Sequence, residues 1–198
     1  MVESKLNIEK NMKTELLEAA ARLFRKKGFA GTSMQDIAEE VGILKGSIYY
    51  HFNSKNEIFQ EVLNNGIDPI LNSSLHLLQE ALSPRAKLEK YIRKHLSYIM
   101  EHNNSLVLFF QEREKMPSDK TEIYLQKRDR YEGVLRSILE DGVKNGDFPQ
   151  VDVTLTAFAI LGMCNWVVQW YDPKGPKTQK EITEHIVKLI SKRMLKAD

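Results

Sequence analysis

The chain has 198 residues, 42% of them hydrophobic and 28% charged, and its 29 basic and 27 acidic side chains give a formal net charge of +2. This composition supplies a buried core for one or two small domains and argues against an intrinsically disordered chain, a fibrous repeat and a multi-span membrane protein. The single cysteine, Cys164, leaves no partner for an intramolecular disulfide and no ligand set for a cysteine-based metal centre, so a reducing cytoplasm is the expected compartment. The first residues hold no apolar run of signal-peptide length, and export is not expected. Bulk charge does not point to nucleic acid: residues 1–55 carry nine basic and seven acidic side chains, and the remainder balances. Local pattern has to decide function.

In chain order, Leu16, Leu17, Ala20, Leu23 and Phe24 recur at three- and four-residue steps, which predicts an amphipathic helix over about 11–27, ended by Lys26, Lys27 and then Gly28. Thr32 or Ser33 caps a second, short helix, with Asp36 three residues after Ser33 and Met34, Ile37, Ala38 and Val41 on its apolar side; Gly42 stops it. Two residues later, 45–52 forms another short periodic stretch with Ile48 and Phe52 as its inward pair. Two short helices meeting across a glycine turn make a helix-turn-helix, in which the second helix is held proud of the surface. Asn53 or Ser54 then caps a longer helix carrying Ile58, Phe59, Val62, Leu63 and Ile67, which Pro69 is expected to kink or interrupt. Further helices are predicted at about 85–102, 105–115, 121–144, 153–171 and 179–196, separated by proline-, glycine- and asparagine-rich breaks. The fold class is therefore all-α, with about nine helices and no alternating strand pattern.

Residues 153–171 contain no charge over 19 positions, close to membrane-spanning length. Thr154, Thr156, Asn165 and Gln169 argue against lipid. A helix covered on one side by its own domain and on the other by a second subunit needs the same apolar girth.

The segment Thr32-Ser33-Met34-Gln35-Asp36-Ile37-Ala38, followed by Val41-Gly42-Ile43, Lys45-Gly46-Ser47-Ile48-Tyr49-Tyr50-His51-Phe52 and Ser54-Lys55, resembles the TetR family of transcriptional regulators. The resemblance implies a DNA-binding head over 1–55, a larger helical domain over 56–198 for effector binding and dimerisation, and a repressor released from a palindromic operator by a small effector. It implies DNA contact for Thr32, Ser33, Leu44, Lys45, Gly46, Ser47, Tyr49, Tyr50, His51 and Lys55. The chain departs from the family at Leu44, where a small hydroxyl residue is usual.

The residue chemistry agrees with that assignment on its own terms. Gly46 allows close approach of the backbone to a duplex, and Ser47, Tyr49, Tyr50 and His51 offer donors suited to phosphate oxygens and base edges. Lys45 and Lys55 can neutralise phosphates, and the start of the second helix offers backbone N–H groups. Each residue also has a plainer role: a core position for Tyr50, a structural histidine for His51, turn chemistry for Gly46, solvated charges for the lysines.

Candidates for the effector cavity are Phe109, Phe110, Arg113, Tyr124, Tyr131, Asn165, Trp166 and Gln169, with core packing, or an interface for Trp166 and Trp170, as the competing role. The stretch from Trp166 through Tyr171-Asp172-Pro173 to Thr178 is similar to the subset of the family that answers to acyl-coenzyme A thioesters, and Arg113, Lys127, Arg128 and Arg130 are available for its phosphates. Aromatic or drug-like molecules are the alternative effector class. The five histidines lack ligand spacing, and no phosphate loop, paired-histidine metal helix or nucleophile elbow occurs, so neither enzyme, resident cofactor, metal nor membrane partner is expected. A helical adaptor for another protein is the remaining rival, and it leaves Lys45 to His51 unused.

Overall fold

The computed structural model describes the backbone of residues 2–102 and 118–195, and the side chains of 11–101, 122–192 and Leu195. Eight α-helices stand among the described residues, with no strand: α1 Val2–Lys27, α2 Met34–Val41, α3 Lys45–His51, α4 Lys55–Gln79, α5 Pro84–His102, α6 Ser118–Lys144, α7 Val153–Trp170 and α8 Gln179–Leu189, the last running into a π-turn at Ile190–Met194. The helix expected at 105–115 lies outside the described residues. Two compact units result: one takes the chain to Ile67 with the start of α6 as far as Leu125, the other Asp68 to α5 and Gln126 onward.

In the first unit, Leu16, Leu17, Ala20, Leu23 and Phe24 of α1 are buried as their spacing requires, and α1 begins nine residues earlier than the apolar pattern did. Phe24, Phe29 and Phe59 form an aromatic cluster with centroids 5.0–5.5 Å apart. The α2 ends are written locally. Ser33 is the N-cap and forms a capping box with Asp36, and Gly42, at φ 78°, gives its N–H to the carbonyls of Ala38 and Glu39. The helix α4 continues through Pro69 instead of stopping there. Ile67, Ile70 and Leu71 around it are all buried, and their burial offsets the roughly 3 kcal/mol that an interior proline costs.

In the second unit α5 packs against α7 and α8, its stripe of Leu88, Tyr91, Ile92, His95, Leu96 and Ile99 is buried, and Tyr91 and His95 of that stripe reach Tyr131 of α6. Asp152 caps α7 by accepting the Leu155 N–H at 2.9 Å, and Thr178 caps α8 in a second capping box, with Glu181. The expected helix over 179–196 loosens at Ile190 into the π-turn. There Arg85 donates to the carbonyls of Ser191, Asp147 (2.6 Å) and Leu195 (3.0 Å), taking up acceptors that a helix end leaves open.

Candidate nucleic-acid interface

The short helix α3 is seated by two residues. Ile48 is wholly buried and Phe52 nearly so, so the helix is anchored on one side while Lys45, Gly46, Ser47, Tyr49 and Tyr50 face outward. Leu44 at its N-cap is 81% exposed, Tyr50 78% and Tyr49 48%; Lys45, Gly46 and Ser47 are exposed as well. Thus Tyr50 is not a core residue, and its ring meets the half-buried His51 edge-on, at 5.4 Å. A Cβ built on Gly46 would find no atom within 4 Å, and Gly46 is not among the glycines of positive φ. Neither crowding by the described residues nor backbone conformation therefore calls for glycine there.

The flanking residues are turned to a different task. Thr32 is buried and its hydroxyl donates to the Gly28 carbonyl at 2.9 Å. The Ser33 N–H and hydroxyl both donate to Asp36, whose carboxylate also takes the Lys27 ammonium at 2.6 Å. The Lys27 hydrogen bond, followed by those from Ser33, holds the Asp36 carboxyl far below the usual carboxylate range, so the start of α2 already holds an anion. Lys55 donates to the carbonyls of Phe29 (2.7 Å) and Thr32 (2.6 Å), with its ammonium 4.4 Å from the centre of the Phe29 ring. Lys55 is thus not a merely solvated charge: its ammonium ties the α1–α2 connection to the first turn of α4.

The effector candidates divide. Phe109, Phe110 and Arg113 lie outside the described residues, and Tyr124 is buried at the start of α6. Tyr131 and Asn165 meet across a residue the sequence reading set aside, His95: its Nδ1 stands 2.7 Å from the Tyr131 hydroxyl and its Nε2 3.0 Å from Asn165 Oδ1. A carboxamide oxygen only accepts, so Nε2 carries a proton, and in the neutral imidazole Nδ1 then accepts from the Tyr131 hydroxyl. Burial dominates, outweighing the Asn165 hydrogen bond, and pushes the His95 pKa down to about 4. Tyr91, Tyr131 and His95 stack nearly parallel, and the Tyr91 hydroxyl donates to the Tyr131 carbonyl at 3.3 Å. The position of His95 on the inward stripe of α5, four residues after Tyr91, is the signal that could have found it.

Trp166 and Gln169 stand elsewhere. Along α7, Ala157, Ile160, Cys164 and Val167 form the buried stripe, and Leu155, Phe158, Gly162, Trp166, Gln169 and Trp170 form the exposed one. The length and composition of this helix suffice to cross a membrane, yet its apolar residues divide between a core face and an open face. Burial alone pushes the Cys164 thiol up to about 12, which makes it inert packing. None of the described candidates lines the open groove of about 750 Å³ between α4, α5 and α8, bounded by Ser73, Arg93, Lys94, Glu101 and Gln179. Of the candidate phosphate binders, Lys127 pairs with Asp68 at 2.8 Å and Arg128 with Asp129 at 2.9 Å.

A capped helix, a glycine turn and a projecting second helix carrying aromatic, hydroxyl and basic groups define a helix-turn-helix DNA-binding protein. Residues 16–62 match the model described as "Bacterial regulatory proteins, tetR family", and residues 81–194 match "Tetracyclin repressor-like, C-terminal domain". The chain belongs to the TetR family of transcriptional regulators and is a DNA-binding regulator, not an enzyme. It is 32% identical over 180 residues, 89% of this chain and 87% of the relative, to the HTH-type transcriptional repressor KstR2 of Mycolicibacterium smegmatis. Among solved structures it is similar to the TetR family regulator PfmR of Thermus thermophilus, with TM-score 0.82 and 33% identity over 91% of this chain and 99% of that one. It is likewise similar to AibR in complex with isovaleryl coenzyme A and operator DNA, with TM-score 0.81 and 25% identity over 89% and 96%.

Proposed function

We propose that this chain is a cytoplasmic repressor that binds a palindromic operator as a homodimer and releases it when a small effector, an acyl-CoA thioester, occupies the larger domain. In this reading residues 1–55 are the DNA-binding head and 56–198 the effector and dimerisation domain. The observation that carries it is the exposure of Leu44 to Tyr50 on a helix whose only inward anchors are Ile48 and Phe52. Lys45 takes a phosphate; Gly46 brings the backbone close; Ser47, Tyr49, Tyr50 and His51 reach phosphate oxygens and base edges. Thr32, Ser33 and Lys55 serve by fixing the angle at which the head is presented.

The dimer is supported by the open stripe of α7, since an uncovered row of Leu155, Phe158, Trp166 and Trp170 is what an isologous two-helix contact buries. The effector class is supported by the likeness to AibR, whose structure was solved with isovaleryl coenzyme A. Two recognition helices must enter successive major grooves about 34–36 Å apart, and an effector acts only by binding a mis-spaced state more tightly. Because α4 belongs to both units, a shift of its second half under effector reaches the head.

The test is selection of duplexes from a random pool, followed by titration of the selected palindrome at several salt concentrations with acyl-CoA thioesters, free coenzyme A or aromatic drug-like molecules added. Affinity should fall steeply with salt and with acyl-CoA alone. Recovery of no palindrome refutes the regulator; indifference to every thioester refutes the effector class.

A further inference from the structure

Of the large apolar residues described, Leu44 is the most exposed. It also occupies the N-cap of α3 with extended backbone, φ −69° and ψ 144°, and makes no side-chain cap hydrogen bond. A serine, threonine or aspartate there would satisfy a free N–H of the first turn, so leucine forgoes a cap and leaves its isobutyl group in water. No internal packing compensates for either loss. Its neighbours differ: Ile43 is half-buried and gives its N–H to the Ala38 carbonyl at 2.9 Å, while Lys45 and Gly46 are exposed and the space beside Gly46 is empty. The Leu44 carbonyl accepts the Ser47 N–H at 2.9 Å, which fixes the residue at the leading edge of α3.

In the major groove thymine alone among the four bases presents an apolar group, its 5-methyl, beside donors and acceptors. We propose that Leu44 is a base-reading residue whose side chain covers a thymine 5-methyl in each half of the operator. This rests on the reading of α3 as the DNA-contacting helix, and it assigns sequence discrimination to the one DNA-facing side chain that offers neither a hydrogen bond nor a charge.

The experiment replaces each thymine of the selected duplex in turn by deoxyuridine, which removes only the methyl group, and measures affinity at fixed salt for the wild-type chain and for Leu44→Ala. Removing one buried methyl is expected to weaken the wild type about fourfold at one position per half-site. Leu44→Ala should bind the thymine duplex more weakly by a similar factor and be blind to uracil at that position. An exposed residue leaves the fold untouched, which an unchanged melting temperature confirms. Wild-type affinity indifferent to every replacement, or sensitivity that persists in Leu44→Ala, overturns the inference alone. A chain that selects no duplex overturns the regulator reading and this inference with it.

Discussion

Replacing Gly46 by alanine should make the protein more stable and a worse regulator. A methyl at this position meets nothing within 4 Å, and no positive φ has to be maintained, so the folded state carries no steric penalty. Loss of glycine's extra unfolded-state freedom stabilises by about 0.4–1 kcal/mol. Gly46 lies in the first turn of a seven-residue helix, which puts the gain near the lower end, about 0.5 kcal/mol. For a chain this size that raises the melting temperature by about 1–2 °C. On the duplex the same methyl holds the backbone away from phosphate, and loss of a hydrogen bond to a charged group costs about 1.5–3 kcal/mol, a ten- to hundredfold drop in affinity. Gly133→Ala is the control: it lies within α6 with equally open space, and should gain stability while leaving operator affinity alone. Calorimetric melting and fluorescence-anisotropy titration at one salt concentration read both quantities. Undiminished operator affinity in Gly46→Ala, or a lowered melting temperature, would refute the claim that glycine is there for an outside partner.

Lys55→Met removes two charged hydrogen bonds to the Phe29 and Thr32 carbonyls and should destabilise the fold by about 2 kcal/mol, seen as a shifted denaturant midpoint, while the salt slope of DNA binding stays as in the wild type; a slope lower by about one unit would instead make Lys55 a phosphate contact. His95 has its folded-state pKa depressed to about 4 from an unfolded 6.5, so its contribution is complete above pH 6.5 and is lost as pH falls toward 4, amounting to about 3 kcal/mol. Urea titrations across that window should show the loss in the wild type, and a folded His95→Phe variant that keeps the same pH dependence would exclude His95 as its source. Trp166→Glu places a charge in the middle of the open α7 stripe and should raise the dimer dissociation constant at least a hundredfold in sedimentation equilibrium; an unaltered constant would move the interface elsewhere.

What could be read from the sequence was what short-range chemistry decides. Ser33, Asp36 and Gly42 mark both ends of α2 within nine residues of one another, and Ile48 and Phe52 seat α3 at a four-residue step, so the helix-turn-helix was visible before any coordinate. The direction of a polar side chain was not. For Thr32 and Lys55, which the resemblance assigns to DNA, the side-chain direction is set by carbonyls at Gly28, Phe29 and Thr32, which only the folded turn between α1 and α2 brings near. His95 escaped notice because its partners are 36 and 70 residues away, and Pro69 does not interrupt α4, whose Ile67, Ile70 and Leu71 are buried around it. Trp166 and Gln169 lie close to Asn165 in sequence and share its candidate role as aromatic and polar lining, yet they stand on the exposed stripe of α7 while Asn165 reaches His95.

The chain has two tryptophans, and both stand one turn apart on the same open stripe of α7. Its tryptophan emission therefore comes from a single place on the molecule. If the proposed dimer buries this stripe, dilution that uncovers it should shift that emission to the red without any change in helix content, an optical gauge of self-association that needs no attached dye.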